Sequence, residues 1–283
     1  MIANARMYSL SPQVANFWRT LLAGVIEHAG LDIELIEHSE PAPIDELWRR
    51  SDMAAVFMCG LPYSRAEPRP ELVAAPVPSP GEFRGAPQYW SELVVRKDSA
   101  MQRIEDTFGG RIALTTPNSQ SGCLAALEYL QAASGTLPFY RELIAPQITP
   151  LRAMRAVESG AADVAPIDSY AFCLAQTYRP DLWAELRVVA KTAPTPIPPL
   201  VASTGGLGSR ALPSVRNSFL EAHRIPALRP AMEGLKLQRF VRPDPAAYDE
   251  LRKSCDTTLS YWREHRLAAV VHPAFAALEL NHG

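Results

Sequence analysis

Extended and helical patterns alternate from the first residues of the chain, and this alternation limits the folds that are open to it. A long helix is predicted after Ser11-Pro12, because apolar residues recur there every three or four positions until Gly30. This alternation of strands and helices predicts an α/β protein with mostly parallel sheets flanked by helices. The segments in order are "ARMYSL" (strand), the helix ending at Gly30, "DIELIEH" (strand), "PIDELWRR" (helix) and "MAAVFMCG" (buried strand).

Two Pro-rich stretches divide the chain. They cover 62–87 and 192–203, and a second series of strands and helices lies between them. A chain that passes from one lobe into a second and then back crosses the hinge between them twice. The cleft between two lobes is a preferred ligand site. We expect a first lobe of residues 1–91 and 197–283, and a second lobe of residues 92–196.

The composition argues against several classes of partner. With 47% hydrophobic residues, 20% charged residues and a formal net charge of −2, the chain lacks the strong field expected of a nucleic-acid or anionic-membrane binder. No apolar run reaches the length of about 18 residues that a membrane span needs. No signal peptide follows Met1, so the sequence leaves a cytoplasmic and an exported location both open. We expect a monomer.

Cysteine and histidine spacing indicates neither a metal site nor a cofactor site. The four cysteines are far apart without a C-x-x-C pair, and the six histidines show no metal-ligand spacing. The chain also lacks the G-x-S-x-G motif of serine hydrolases. Cys59 follows an apolar strand and is either a nucleophile or an inert buried thiol.

Polar residues are concentrated at the start of the helix predicted after the strand "RIALTT". The first N–H groups of a helix lack internal partners, and the aligned peptide dipoles add about half a positive charge there. Ser119, Gln120 and Ser121 add hydroxyl and amide donors, and Gly122 lets a ligand approach the backbone. This helix start should lie at the carboxyl end of a parallel sheet, where α/β proteins bind ligands. The alternative is that a residue such as Ser119 only caps the helix.

Four further residues have both a functional and a structural interpretation. Asp168 follows the strand "ADVAPI" and precedes a helix, so it either accepts a hydrogen bond from a protonated phosphonyl oxygen or an amine, or caps that helix. Tyr89 and Trp90, at the expected hinge, and Tyr63, after the third strand, either line a ligand pocket or pack in the core.

Six segments taken in order resemble one family, the substrate-binding proteins of phosphate, phosphite and phosphonate ABC transporters. Together they extend over most of the chain, which makes the ordered set more specific than any single motif. The segments are "CGLPY" (59–63), "LVAAPV" (72–77), "YWSELVVRKDS" (89–99), "PNSQSG" (117–122), "SGAADVAPIDS" (159–169) and "IPPLVAS" (197–203).

The resemblance implies the two-lobed type II periplasmic-binding-protein fold and a protein that captures a small oxyanion, phosphonate- or phosphate-like, for an ABC transporter. It implies an ABC permease as partner, a periplasmic location and no catalysis. The ligand-binding residues implied by matching positions are Ser119, Gln120, Ser121, Asp168, Tyr89, Tyr63, Trp90 and Tyr8. Gln120 departs from the small hydroxyl residue that closer phosphonate binders carry at that position, and the signal peptide is missing.

Two alternatives share the same fold. One is an enzyme similar to thiamine-pyrimidine synthases, which would need an organised catalytic group. The other is a soluble sensor that reports ligand occupancy to a partner protein. Neither has a positive feature of its own in the sequence, and a ligand screen would separate them from an anion binder.

Overall fold

The computed structural model describes residues 1–133, 135–208, 211–270 and 273–276. The strands are β1 (Ile2–Asn4), β2 (Glu34–Leu35), β3 (Met53–Phe57), β4 (Glu71–Pro78), β5 (Gln88–Tyr89), β6 (Ser91–Arg96), β7 (Arg111–Ala113), β8 (Tyr140–Ile144), β9 (Ala165–Asp168), β10 (Leu186–Lys191), β11 (Thr195–Pro196), β12 (Leu200–Ala202), β13 (Leu237–Val241) and β14 (Ala268–Val270). The α-helices are α1 (Pro12–Ala29), α2 (Ile44–Trp48), α3 (Gly60–Arg65), α4 (Ala125–Gln131), α5 (Pro150–Glu158), α6 (Ser169–Tyr178), α7 (Pro180–Trp183), α8 (Ala211–Glu221), α9 (Arg229–Gly234), α10 (Pro245–Glu264) and α11 (Pro273–Ala276).

The chain divides into two compact units. Unit 1 comprises Met1–Gln88 and Pro196–Asp249, and unit 2 comprises Tyr89–Thr195 and Glu250–Gly283. The sequence-based division differs from this one for residues 89–91, 196 and 250–283; it assigns 89–91 and 250–283 to the first lobe and 196 to the second. The described residues of the C-terminal segment pack in unit 2, where Trp262 Nε1 donates to the Leu127 carbonyl over 3.1 Å and β14 pairs with β8.

Unit 1 contains a six-stranded sheet in the order β13-β4-β12-β3-β1-β2. Strand β1 runs parallel to β2 and β3, whereas β12 is antiparallel to β3 and β4, and β13 is antiparallel to β4. The α/β class is therefore confirmed, but this sheet is mixed where mostly parallel sheets were expected. Two of these antiparallel strands, β4 and β12, come from the Pro-rich stretches, where the sequence predicts a strand at "LVAAPV" and otherwise connections, and β13 lies outside both stretches.

Helix α1 forms as the sequence predicts. Ser11 caps it by accepting from the Val14 amide over 3.2 Å, Pro12 occupies the first turn, and Gly30 ends it in the left-handed region at φ 65°. The predicted strand over "ARMYSL" is wrong, because β1 lies earlier and residues 6–8 form a 3-10 turn. Asn4 Oδ1 accepts from the Arg6 amide over 2.8 Å and so bends the chain out of the strand.

Unit 2 contains two three-stranded sheets, β10-β6-β9 and β14-β8-β7, joined by a parallel bridge between Ile112 and Val164. Strands β7, β8 and β14 are mutually parallel, and β6 is antiparallel to both of its neighbours. The carboxyl ends of β7 and β9 therefore lie at the same edge as the first residues of β6. Three candidate segments meet at this edge: the helix start after β7, Asp168 at the end of β9, and the Trp90 region before β6.

The core of unit 2 unites distant parts of the chain. Buried side chains of β6, α4, β8 and the C-terminal segment form one cluster, in which Phe139 meets Trp262 edge to face at a centroid distance of 6.1 Å. No helix within the described ranges is both long and apolar enough to cross a membrane.

Candidate functional site

The helix after β7 begins with one wide turn. Residues Gln120–Leu124 form a π-type turn that leads directly into α4, with the Leu124 amide bonded to the Ser119 carbonyl over 3.0 Å. The Ser119 hydroxyl accepts from the Gly122 amide over 3.0 Å, so this residue does cap the helix. A π-type turn leaves more amides without an intrahelical acceptor than an α-turn does, and such turns are frequent at functional sites. The capping interpretation and the ligand interpretation are thus compatible here.

Ser121 keeps its hydrogen-bond donors available. Nothing within the described part of the chain hydrogen-bonds its hydroxyl or its amide, although the residue is only 7% exposed. Its neighbour Gln120 is fully buried, and its role as an amide donor to the ligand stays a prediction from the sequence. A nearly buried residue with two unused donors at a helix N-terminus suits an anion with several acceptor oxygens.

Gly122 is required by packing beneath this turn. A Cβ at this position would lie 2.7 Å from Thr115 Cγ2, and the Thr115 amide donates to the Gly122 carbonyl over 3.1 Å. Thr115 belongs to the segment that leaves β7, so the glycine lets the helix start sit directly on the end of the strand. Close packing of the Thr115 side chain against the turn therefore accounts for Gly122.

The turn adds no negative charge of its own to the site. Cys123 is fully buried, and burial, with a smaller contribution from Cys255, raises the pKa of its thiol well above the usual range. Burial similarly raises the pKa of Tyr170, which follows Asp168 in α6. Both groups stay neutral at physiological pH, so neither opposes the binding of an anion.

Asp168 ends β9 and begins α6. Its Oδ1 accepts from the Ala171 amide over 2.9 Å, which makes it the N-cap of that helix, and the residue is 5% exposed. The cap uses one oxygen for one bond, and a carboxylate can accept several. Asp168 pairs with Ser91 across the β6–β9 ladder, which places both at the edge where the helix start lies.

Hydroxyl groups fix the backbone where β6 begins. The Trp90 amide donates to Ser169 Oγ over 3.1 Å, and the Ser91 amide donates to Thr192 Oγ1 over 2.9 Å. The Ser91 hydroxyl donates to the Ser121 carbonyl over 2.6 Å. Ser91 thus contacts the wide turn and pairs with Asp168, which joins the candidate segments within unit 2.

The Trp90 indole is held by a buried carboxylate and a half-exposed lysine. Its Nε1 donates to Glu92 Oε1 over 2.7 Å, and the Lys191 ammonium lies 3.0 Å from the same oxygen and 5.4 Å from the indole centroid. Glu92 Oε2 is buried without a hydrogen bond among the described residues. These contacts fix the orientation of a residue that the resemblance assigned to the ligand.

The three tyrosines predicted for the site are buried. Tyr89, in β5, has no exposed surface. In unit 1, Tyr8 meets Phe57 edge to face at 5.2 Å, and Tyr63 lies edge to face with Tyr248 at 5.1 Å. The Arg69 guanidinium lies 5.4 Å from the Tyr63 ring centroid, and burial raises the pKa of the Tyr63 phenol. The contacts of Tyr8 and Tyr63 are those of core packing, and a ligand-binding role for the three tyrosines stays a prediction from the sequence.

The structure brings together Ser119, Ser121, Asp168 and Trp90 in unit 2, and it adds Ser91, Thr115 and Glu92 to the group. Sequence reasoning missed those three residues. The signal for two of them is present in "YWSELVV", where Ser91 and Glu92 interrupt an otherwise apolar buried strand. Polar residues in a buried strand require partners, and these partners are the turn and the indole.

Comparison with known families identifies the chain. Residues 8–248 match the family model described as "ABC transporter, phosphonate, periplasmic substrate-binding protein". The chain belongs to this family. The resemblance carried by the six motifs is therefore confirmed, and with it the interpretation as a substrate-binding protein of ABC transporters, in preference to an enzyme or a sensor. No curated protein matches the chain.

Solved structures of phosphonate-transporter binding proteins share the fold. A binding protein component of an ABC phosphonate transporter from Pseudomonas aeruginosa has a TM-score of 0.75 and 20% identity, over 100% of this chain and 90% of that one. PhnD1 from Prochlorococcus marinus, solved in complex with methylphosphonate, has a TM-score of 0.76 and 14% identity, over 90% and 96%. XAC2383 from Xanthomonas citri, bound to ATP, has a TM-score of 0.65 and 18% identity, over 94% and 98%. The two-lobed periplasmic-binding-protein fold is thus confirmed.

The residues considered for other chemistry give no further site. Cys59 is buried at the residue before α3. Among the residues that the structure describes, no three His, Cys, Asp or Glu side chains are grouped to hold a metal ion; His272 and His282 lie outside those residues.

Proposed function

We propose that this member of the phosphonate-binding family captures a small phosphonate- or phosphate-like oxyanion at the wide turn of unit 2 and delivers it to an ABC permease. The observation that carries the proposal is Ser121, a nearly buried residue whose hydroxyl and amide bond no other described residue. An anion with three oxygens supplies the acceptors these donors lack, and the helix dipole favours its charge.

Asp168 supplies selectivity in this proposal. A carboxylate at the edge of an anion site repels a fully deprotonated ligand and accepts a hydrogen bond from a protonated oxygen or from an amine. We propose that Asp168, besides capping α6, selects a monoprotonated phosphonyl group or an amino substituent. The contribution of Tyr8 and Tyr63 from unit 1, and a cleft between the lobes, stay predictions from the sequence.

The ligand is held without chemical change in this proposal. Family membership supports a transport role, and the Cys123 thiol next to the turn has a raised pKa, so it is a poor nucleophile. We further propose that the protein acts in the periplasm, as its family does, and as a monomer.

The proposal is tested by thermal shift and titration calorimetry with phosphate, phosphite, methylphosphonate, 2-aminoethylphosphonate, sulfate and a thiamine pyrimidine precursor. A ligand at one hundred times its dissociation constant stabilises the protein by about 2.7 kcal/mol. At least one phosphorus oxyanion should raise the melting temperature. Ser121→Ala and Asp168→Asn should each weaken its binding about tenfold or more, since each removes a hydrogen bond or a charge.

Asp163→Asn is the matched control. Asp163 precedes β9 at the opposite edge of the sheet, where its Oδ2 accepts from the Arg111 amide over 2.7 Å, so the variant loses a carboxylate of unit 2 without changing the turn. It should bind the oxyanion with wild-type affinity. Unchanged binding by both Ser121→Ala and Asp168→Asn would reject this site. Stabilisation by the pyrimidine precursor alone would favour the enzyme.

A further inference from the structure

Ser91 holds one end of the peptide unit that begins the proposed anion site. This peptide joins Ser121 to Gly122, and its two polar groups have different partners. The Ser121 carbonyl accepts from Ser91 Oγ over 2.6 Å, and the Gly122 amide donates to Ser119 Oγ over 3.0 Å. Because a peptide unit is planar, two bonds at opposite ends fix the direction of its plane.

The wide turn explains why an outside donor is needed. In a regular α-helix the Ala125 amide would bond the Ser121 carbonyl, but here it bonds the Gln120 carbonyl, one residue further back. The Ser91 hydroxyl donates to the carbonyl that the shifted pattern passes over. Ser91 has no exposed surface, so this bond is shielded from competing water.

We propose that Ser91 is a positioning residue for ligand binding: by holding the Ser121 carbonyl it keeps the turn wide and aims the Ser121 donors at the ligand. The proposal rests on the function proposed above. Ser91 also lies opposite Asp168 in the β6–β9 ladder, so its hydroxyl bond ties the anion-binding turn to the strand that neighbours the selecting carboxylate. Binding therefore depends on a side chain that does not itself have to touch the ligand.

The test compares variants of the whole chain by titration calorimetry with methylphosphonate, phosphate and 2-aminoethylphosphonate. Ser91→Ala should weaken binding about tenfold, because it removes one buried hydrogen bond that orients the donors. Ser91→Thr keeps the hydroxyl and should restore affinity to within about twofold of wild type. Ser91→Cys, a weak donor of similar size, should fall between alanine and wild type, and it provides a measurement if the threonine methyl group disturbs folding.

Thr107→Val separates positioning from general stability. Thr107 lies fully buried in unit 2, and its hydroxyl donates to the Ile104 carbonyl over 2.6 Å and lies 3.0 Å from the Tyr140 hydroxyl. It matches Ser91 in burial and in the length of its bond to a carbonyl, and both of its contacts lie outside the turn. The variant should lower the melting temperature of the ligand-free protein and leave the dissociation constants unchanged.

The outcomes distinguish this inference from the proposed function. If the wild type binds an oxyanion and Ser91→Ala binds it with the same affinity, the inference is overturned and the proposed function stands. Equal losses in Ser91→Ala and Thr107→Val would also overturn it, since the loss would then follow stability. Absence of binding to any phosphorus oxyanion by the wild type would overturn both.

Discussion

At the scale of single residues, the contact between Gly122 and Thr115 sets how closely the helix start approaches the end of β7. Thr115 Oγ1 is buried without a hydrogen bond among the described residues, and its side chain occupies the space where a Cβ on Gly122 would lie. The fold therefore keeps the Thr115 hydroxyl buried without a hydrogen bond among the described residues, and it needs a glycine at position 122 to make room for this side chain.

Gly122→Ala should destabilise the protein by about 1–3 kcal/mol, because the added methyl group overlaps Thr115 and the backbone on both sides is packed. Thr115→Ala makes room, so the double variant should recover much of the loss, and a double-mutant cycle by urea denaturation measures the coupling. Gly81→Ala is the control, since nothing lies within 4 Å of a Cβ there and it should change stability by less than about 0.5 kcal/mol. Additive single effects would contradict the steric explanation.

The buried carboxylate of Glu92 shows how a residue within a motif can have a role that the motif does not reveal. Its contacts with the Trp90 indole and the Lys191 ammonium depend on strands β6 and β10 being neighbours. In the sequence these two partners of Glu92 are about a hundred residues apart. No local pattern therefore predicts the group.

At the scale of elements, helix α10 packs on α4 through a half-buried carboxyl group. Burial raises the pKa of Glu128, and a hydrogen bond from the Ser254 hydroxyl partly opposes that increase. Folding therefore favours the protonated form. This contact contributes its full stability below the ordinary pKa of a glutamate, and the contribution falls as the pH rises through the higher pKa of the folded state.

Glu128→Gln should make the protein more stable than wild type at pH 7–8, because the amide keeps the acceptor for Ser254 and removes the cost of a buried charge. The advantage should shrink as the pH falls through the raised pKa of the folded state and disappear below about 4.5, where the glutamate is protonated in both states. Urea denaturation across the pH range measures it. Glu185→Gln, at an exposed position, should show no such pH-dependent gain. A constant difference at all pH values would refute the explanation.

The elements that the sequence predicts well are those with local signals. Helices α1 and α5 each have a hydroxyl cap, a proline in the first turn and an apolar stripe, and both form as expected. Strands β12 and β14 have three residues each, which is too short for an alternating pattern to mark them. They exist because neighbouring strands supply their hydrogen bonds, which is information that a local window does not contain.

At the scale of the whole molecule, helix α10 belongs to both units. Tyr248, near its start, donates to the Ile197 carbonyl over 2.9 Å in unit 1, and Trp262, near its end, lies in the core of unit 2. The sequence shows one uninterrupted helical pattern here, which is why residues 250–283 were assigned to a single lobe.

A variant chain that ends at Asp249 should therefore have a destabilised unit 2, because the residues that remain in this unit lose their packing partners. The deletion uncovers Phe139 and Leu127 and takes away the strand beside β8. We expect dye binding to exposed apolar surface, a lower urea midpoint and loss of oxyanion binding. Trp262→Phe, which keeps an aromatic ring in the core, should lose much less. Wild-type stability and binding in the shortened chain would exclude this role for the C-terminal segment.

The sequence by itself determined the fold class, the family and the edge at which polar residues gather. These features depend on local periodicity, on capping residues and on ordered motifs, all of which are visible in the amino-acid sequence. The tertiary structure decided which side chains serve the site. It buried Gln120, left the donors of Ser121 available and joined Ser91 to the turn, because hydrogen bonds between distant segments are set by the sheet that brings those segments together.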